Sequence, residues 1–287
     1  MSLVVKPSGQ VCGAEVRGVD LRSELDDDTV AEIRAAWLQH RVLCFPDQPL
    51  TDADLERFTL RFGPFGDDTF FGAIDGHPNI AAVHRRADET APVFALSWHA
   101  DWSFQRFPPD GTCLFAKIVP PLGGDTLFVD QIAALAAMPS ELRDQISDIE
   151  VVHSARGGYA PDGLYGEGDK DSNRAMKIMP SETAYETQNH PLVQTHAETG
   201  ESTLYGTIGY IIGVADMEAD QANELLGQVY AWQTRPEFIY THQWQPNMLV
   251  MWDNRCVLHR ATGGYDGHER LLHRTTIGYN ELVRSEP

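Results

Sequence analysis

The sequence predicts a mainly β chain with flanking helices, a double-sheet jelly-roll (double-stranded β-helix) barrel, on three observations. Short apolar runs bounded by Gly and Pro recur at 42–45, 112–119, 125–129, 238–244 and 248–252, as strands of a barrel or sandwich do. Helical periodicity is confined to a few separate stretches. Regular strand-helix-strand alternation and any G-x-G-x-x-G are missing, which argues against a nucleotide-binding parallel sheet.

In order, 1–25 alternates apolar and polar positions (Val11, Ala14, Val16, Val19), predicting short strands that close near Asp20. Asp26-Asp27-Asp28-Thr29 supplies acidic cap residues for a helix to about His40, with Val30, Ile33, Ala36 and Trp37 at helical spacing. The run 42–45 is a buried strand stopped by Pro46, and Thr51-Asp52-Ala53-Asp54 caps a second helix that ends before Gly63-Pro64. The mixed text of 65–92 is expected to be a loop over a site. Within it His84, Arg85 and Arg86 read either as anion contacts or as solvated charges. The stretch 94–98 is expected to be a strand leading into His99. Helices are expected over 131–138, after Pro139-Ser140, and over 216–234, where Ala222, Leu225, Leu226, Val229 and Trp232 share a face. The irregular segment 155–191, rich in Gly, Asp, Lys and Asn, is expected to be a substrate lid. Strands are expected again at 192–196, as a pair over 203–214 broken by Gly206 and Gly209, and at 275–279. The whole of 1–287 reads as one domain.

Bulk properties narrow the function. With 42 acidic against 22 basic residues, the formal charge of −20 argues against nucleic acid and against anionic lipid as partners. Neither a membrane-length apolar run nor a secretory leader is present, so a cytoplasmic protein is expected. Cys12, Cys44, Cys113 and Cys256 are far apart and read as buried free thiols.

The chemistry centres on Ser97-Trp98-His99-Ala100-Asp101-Trp102. On a strand His99 and Asp101 project to one side, giving an imidazole and a carboxylate for a divalent metal. A distant His259 ends the run 248–259, Thr126 follows a Gly-Gly turn, and Arg270 and Arg274 stand beyond. Two imidazoles and one carboxylate on one face leave coordination positions open for co-substrate and oxygen.

Together, W-H-A-D at 98–101, P-P-L-G-G-D-T at 120–126, W-D-N-R-C-V-L-H-R at 252–260 and R-L-L-H-R at 270–274 resemble the taurine and 2,4-dichlorophenoxyacetate dioxygenase family, Fe(II)- and 2-oxoglutarate-dependent enzymes. The resemblance covers nearly the whole chain. It implies Fe(II) on His99, Asp101 and His259, and 2-oxoglutarate held by Arg270 and Thr126. It also implies O2 as oxidant, with hydroxylation of a small anionic organic substrate and release of succinate and CO2. Desaturation or oxidative cleavage by the same chemistry, a cupin-like hydrolase or isomerase using Zn or Mn, and a non-catalytic metal-binding jelly roll are the rivals. Arg274 is implied to hold the substrate's anionic group or to lie near both carboxylates; the alternative is a structural ion pair. Family members also imply a homo-oligomer, dimer or tetramer.

Departures from the family point away from taurine. Ala95 stands where taurine dioxygenases carry asparagine, and Phe70 and Ala73 stand for a histidine and a tyrosine, leaving an apolar wall with Phe71 and Tyr159. His273 is expected to face away from the arginines, and His153, His196 and His242 to be core or surface residues without a carboxylate partner. Trp98, Trp102 and Trp252 are expected to exclude water, and Asp253-Asn254-Arg255 to stabilise a turn.

Overall fold

The computed structural model describes residues 3–169 and 172–279, so the ends of the expected 1–287 unit and two positions of the 155–191 segment lie outside it. The strands run β1 (Val4–Pro7), β2 (Ala14–Arg17), β3 (Val42–Phe45), β4 (Ala73–Ile74), β5 (His77–Arg85), β6 (Gly111–Ile118), β7 (Thr126–Asp130) and β8 (Glu150–Ser154). They continue with β9 (Thr187–Pro191), β10 (Val193–Thr195), β11 (Ser202–Leu204), β12 (Ile211–Val214), β13 (Ile239–His242), β14 (Leu249–Asp253), β15 (Val257–Ala261) and β16 (Arg270–Ile277). The helices are α1 (Asp27–His40), α2 (Asp52–Leu60), α3 (Gln131–Ala136), α4 (Ser140–Ile146), α5 (Arg156–Tyr159) and α6 (Ala219–Gln233).

Local chemistry sets the helix starts. The Asp26 carboxylate accepts from the Thr29 amide, and Thr51 and Asp54 form a reciprocal capping box. Asp130 ends β7 and turns its carboxylate onto the amides of Ile132 and Ala133, starting α3.

The main sheet has the order β1-β2-β3-β14-β6-β16-β5-β4, and a three-stranded sheet β13-β7-β15 lies over part of it. Alternation along the central strands makes two cores. Leu249 and Met251 of β14, with Phe115 of β6, pack under Ile33, Trp37, Leu55 and Phe58 of α1 and α2. Their neighbours Val250, Trp252 and Leu114 turn the other way, onto Phe128, Tyr240 and Val257 of the second sheet. This two-sided burial explains why β14 reads as an unbroken apolar run. The chain is therefore mainly β with flanking helices.

Four expectations are corrected. The 65–92 stretch is not a loop throughout, because β5 pairs along β16 from Arg85↔Arg270 to Ala81↔Arg274. Its His-Arg-Arg ending hid a strand whose polar side chains find partners: Arg85 donates to the carbonyls of Ala91 and Glu89, and His84 bonds Glu269. Residues 94–98 form turns rather than a strand, with Ala95 at φ 60°. The pair over 203–214 consists of strands that do not pair with each other: β11 pairs β10 and β12 pairs β8. Segment 155–191 contains α5 and β9, the latter paired with β8, and so is partly regular. The four cysteines are free and buried, as expected. Among the described residues no helix is long and apolar enough to cross a membrane.

Two histidines are core residues in the expected sense. His153 bonds Ser103 Oγ through Nδ1 at 3.0 Å, and His242 bonds the Tyr240 hydroxyl at 3.0 Å. Burial, with His190 beside one and Arg270 beside the other, pushes both down to about 3. The unfolded chain therefore takes up protons that the folded one refuses, so stability is complete above about pH 6.5 and is lost as pH falls towards 3. Each should cost about 2 kcal/mol at pH 5. Thermal unfolding should show a lower Tm at pH 5 than at pH 7, and His242→Gln should make that drop smaller.

Candidate active site

The inner face of the two sheets carries the polar residues that the sequence singles out. Strand β16 alternates so that Arg270 and Arg274 share the face of the core residue Leu272, which packs between the sheets. His273 and Thr275 point to α2, where His273 Nδ1 lies 2.7 Å from Asp52 and the Thr275 and Thr59 hydroxyls are 2.7 Å apart. His273 therefore faces away from the arginines, as expected.

His99 reaches the site by a single antiparallel bridge rather than a strand: its amide donates to the His259 carbonyl at 3.0 Å, and the His259 amide donates back at 2.8 Å. The imidazole rings stand 4.2 Å apart, centroid to centroid, and both Nε2 atoms are 3.8 Å from Asp101 Oδ1. One ligand atom from each of the three lies within 4.8 Å of the others, so the triplet could hold a metal ion. His99 Nδ1 bonds the Ser97 carbonyl at 2.9 Å, which fixes the tautomer with an Nε2 lone pair facing inward. Burial lowers His99, and burial with the neighbouring His99 pushes His259 down to about 3, so both imidazoles are neutral donors. Burial opposes ionisation of Asp101, but the Arg274 guanidinium holds its carboxyl below the usual carboxylate range.

Asp101 is aimed by a buried relay that sequence reasoning missed in part. Trp252 Nε1 donates to Asn254 Oδ1 at 2.9 Å, and Asn254 Nδ2 donates to Thr112 Oγ1 at 2.9 Å. The Thr112 hydroxyl in turn donates to Asp101 Oδ2 at 2.6 Å, leaving Oδ1 towards the histidines. Asn254 belongs to the 253–255 turn the sequence flagged; nothing in the text around Thr112 distinguishes it from a core threonine. Arg255 grips Asp253 with Nε and Nη2 at 2.8 and 2.6 Å, fixing the turn between β14 and β15. His196, expected to lack a carboxylate, meets Asp253 at 3.0 Å, while its Nδ1 accepts two backbone amides at 3.3 Å. Cys256 lies close enough to complete a His-Asp-Cys group, but both nitrogens of His196 and the carboxylate of Asp253 are already engaged.

Arg270 is different in kind. It is buried, its Nε has no hydrogen-bond partner, and among the described residues no carboxylate lies in ion-pair contact with it. The guanidinium lies over the rings of Trp244 and Tyr265, and burial depresses its pKa. Thr126 Oγ1 accepts the Trp244 indole N–H at 3.0 Å, which leaves its own proton available. The turn before it runs through Gly123 and Gly124 at φ 66° and 72°; a Cβ on Gly124 would lie 3.2 Å from Arg270 Nε, so the glycine lets the backbone lie against the guanidinium.

Arg274 is engaged on two sides. It donates to Asp68, which also accepts the Trp102 indole N–H at 2.6 Å, and its Nη2 lies 3.2 Å from Asp101 Oδ1. Burial pushes the Asp68 carboxyl up despite this cation. Asp68 escaped the sequence reading because an acidic residue in a Gly-Asp-Asp loop looks solvated. Of the expected wall, Phe71 and Tyr159 line the cavity, whereas Phe70 stacks behind on Tyr159 and Ala73 pairs with Ala81 in the sheet. Arg86 bonds the Asn173 carbonyl at the surface, and Arg85 is buried at the cavity edge. One cavity of about 770 Å³, its open mouth included, is lined by all six predicted residues (His99, Asp101, His259, Thr126, Arg270 and Arg274) and by Phe71, Phe94, Ala95 and Tyr159.

Comparison with known proteins supplies the family. The model of the taurine catabolism dioxygenase TauD, TfdA family matches residues 5–276. The chain belongs to this family. The 2,4-dichlorophenoxyacetate dioxygenase of Cupriavidus pinatubonensis is 33% identical, over 96% of this chain and 98% of that one. The (S)-phenoxypropionate/alpha-ketoglutarate-dioxygenase of Sphingobium herbicidovorans is 32% identical, over 95% and 94%. A crystal structure of a taurine dioxygenase from Burkholderia xenovorans superposes with a TM-score of 0.79 at 30% identity, covering 98% of this chain and 90% of that one. Other relatives are named for sulfate esters and sulfonates. The chain is thus an oxidoreductase, a dioxygenase that uses Fe(II), 2-oxoglutarate and O2.

The relay makes a prediction. Thr112→Val removes the hydroxyl that orients Asp101 and should weaken metal binding about 10- to 100-fold. Mn(II) titration followed by electron paramagnetic resonance would measure this, with circular dichroism confirming an unchanged fold.

Proposed function

We propose that this dioxygenase hydroxylates a small anionic organic substrate, such as an aryloxyalkanoate, sulfonate or sulfate ester, with succinate and CO2 as co-products. The observation that carries the reading is Arg270: a buried guanidinium with no carboxylate in contact among the described residues, in the same cavity as two neutral imidazoles and an ionised carboxylate. A buried charge of that kind is costly unless an anion completes it.

His99, Asp101 and His259 fit iron by donor type and convergence, since two imidazole nitrogens and one carboxylate oxygen suit Fe(II) and leave one side open. Bound iron supplies the redox chemistry with dioxygen and 2-oxoglutarate. The protein does the rest. Arg270 would hold the distal carboxylate of 2-oxoglutarate, with the Thr126 hydroxyl as a second donor to the same group. Ser97 holds the His99 Nδ1 proton, keeping that ring oriented. Arg274, between Asp101 and Asp68, closes the wall between co-substrate and substrate and lends the substrate's acid group a cation partly shared with Asp68. Phe71 and Tyr159 keep water from the reacting carbon. In this reading the two sheets close as a jelly-roll barrel, 155–191 serves as the lid of a single domain, and the protein works as a homo-oligomer.

Anaerobic protein given Fe(II) and 2-oxoglutarate should develop the weak visible band of the chelate and, in air with a suitable acid, release succinate. Absence of both across sulfonates, aryloxyalkanoates and sulfate esters would overturn the reading. Arg270→Ala should raise the 2-oxoglutarate requirement at least about thirtyfold, the cost of cutting a buried charge pair. Asp101→Ala should abolish hydroxylation.

A further inference from the structure

We infer that the primary substrate carries an apolar tail, alkyl or aryl, which leaves the cavity through an uncharged vestibule ending at Leu96, Leu164 and Ile208. This rests on the dioxygenase reading for the position of the head group. A second depression opens beside His99 and shares Phe94, Ala95, His99 and Tyr159 with the first, so the two spaces adjoin at these four residues. Among the described residues no Asp, Glu, Lys or Arg lines it. On a chain with 42 acidic residues and a formal charge of −20, an uncharged mouth is a marked local exception.

Three large aliphatic side chains stand at this mouth in water, Leu96 at 45%, Leu164 at 63% and Ile208 at 48% exposure. Each is held there by backbone. Leu96 follows Ala95, whose positive φ turns the chain outward at the cavity edge. The Leu164 and Tyr165 amides donate to the carbonyls of Gly157 and Gly158 at 2.9 and 2.8 Å. Gly163 packs so tightly that a Cβ would come within 2.8 Å of the Arg156 carbonyl oxygen. Ile208 precedes Gly209, whose Cβ position lies 2.5 Å from the Trp98 carbonyl oxygen, so that turn is clamped beside the residue before His99. Fixed, exposed aliphatics that continue a buried aromatic wall suit an apolar ligand reaching outward from the metal cavity. Charge points the same way: Arg274 is bonded to Asp68 and Asp101, and Arg174 grips Asp169 with Nε at 2.7 Å and Nη2 at 3.3 Å. Arg274 and Arg174, both lining the metal cavity, thus have carboxylate partners, and beyond the head group the vestibule offers uncharged contact.

The test uses the full chain loaded anaerobically with Fe(II) and 2-oxoglutarate, titrated by calorimetry with straight-chain alkanesulfonates from ethyl to decyl. Once the tail passes Phe94 and Tyr159, Kd should fall about fourfold for each added methylene, the value of burying one CH2. In Leu164→Asp and Ile208→Asp, both at exposed positions, that slope should flatten for long homologues while ethanesulfonate binds as it does to the unsubstituted protein. A slope unchanged in both variants, or absent without substitution, overturns the proposal. So does sedimentation showing self-association that Leu164→Asp abolishes, together with a flat slope, since a second copy then covers the patch. The chelate band separates the two readings: a slope without the band faults the iron and 2-oxoglutarate assignment, and a band without the slope faults the vestibule.

Discussion

Two backbone hydrogen bonds, exchanged between His99 and His259, hold the site together. They bring residues 160 positions apart in sequence to a fixed spacing, and everything polar in the cavity is placed relative to that bridge. His259 arrives on a regular strand of the second sheet. His99 arrives from irregular backbone, so without the bridge its ring would have only the Ser97 carbonyl to orient it. Because the pairing is backbone to backbone, it demands little of side chains and leaves both imidazoles free for chemistry.

The cost of such an interior is electrostatic. Two arginines and a carboxylate sit where burial penalises their charge. Arg274 and Asp101 offset one another at 3.2 Å, and Asp68 completes that group from behind. Arg270 is the exception, with aromatic faces in place of an anion. The protein thus carries a preformed deficit of negative charge at one end of its cavity, the place where the proposed reading puts the far carboxylate of the co-substrate. Asp253, by contrast, is buried with its counter-charge built in through Arg255 and a further hydrogen bond to His196, and it serves the turn.

Legibility in the sequence followed how local the cause was. The Asp26 and Thr51 caps, the apolar runs of β3, β6 and β14, and the Gly123-Gly124 turn were readable because neighbours determine them. Strand β5 was not, since its charged ending is satisfied by Glu269, by the carbonyls of Ala91 and Glu89, and by pairing along β16, all contacts set by the folded chain. The strand assigned before His99 failed for the opposite reason: 94–98 has strand-like composition, but Ala95 turns the backbone. In the site, the histidines, the arginines and Thr126 were legible because the family spells them at fixed spacings. Asp68 and Thr112 were not, since each acts through a partner remote in sequence, Arg274 for one and Asp101 for the other.

Strand β16 is read on both of its faces. Arg270 and Arg274 look into the cavity while His273 and Thr275 lock onto Asp52 and Thr59 of α2. A slip of one residue would exchange these sets, putting an imidazole and a hydroxyl in the cavity and driving two guanidinium groups under a helix. Drift along this stretch is thereby confined to replacement of single side chains, because a one-residue insertion or deletion damages scaffold and site at once.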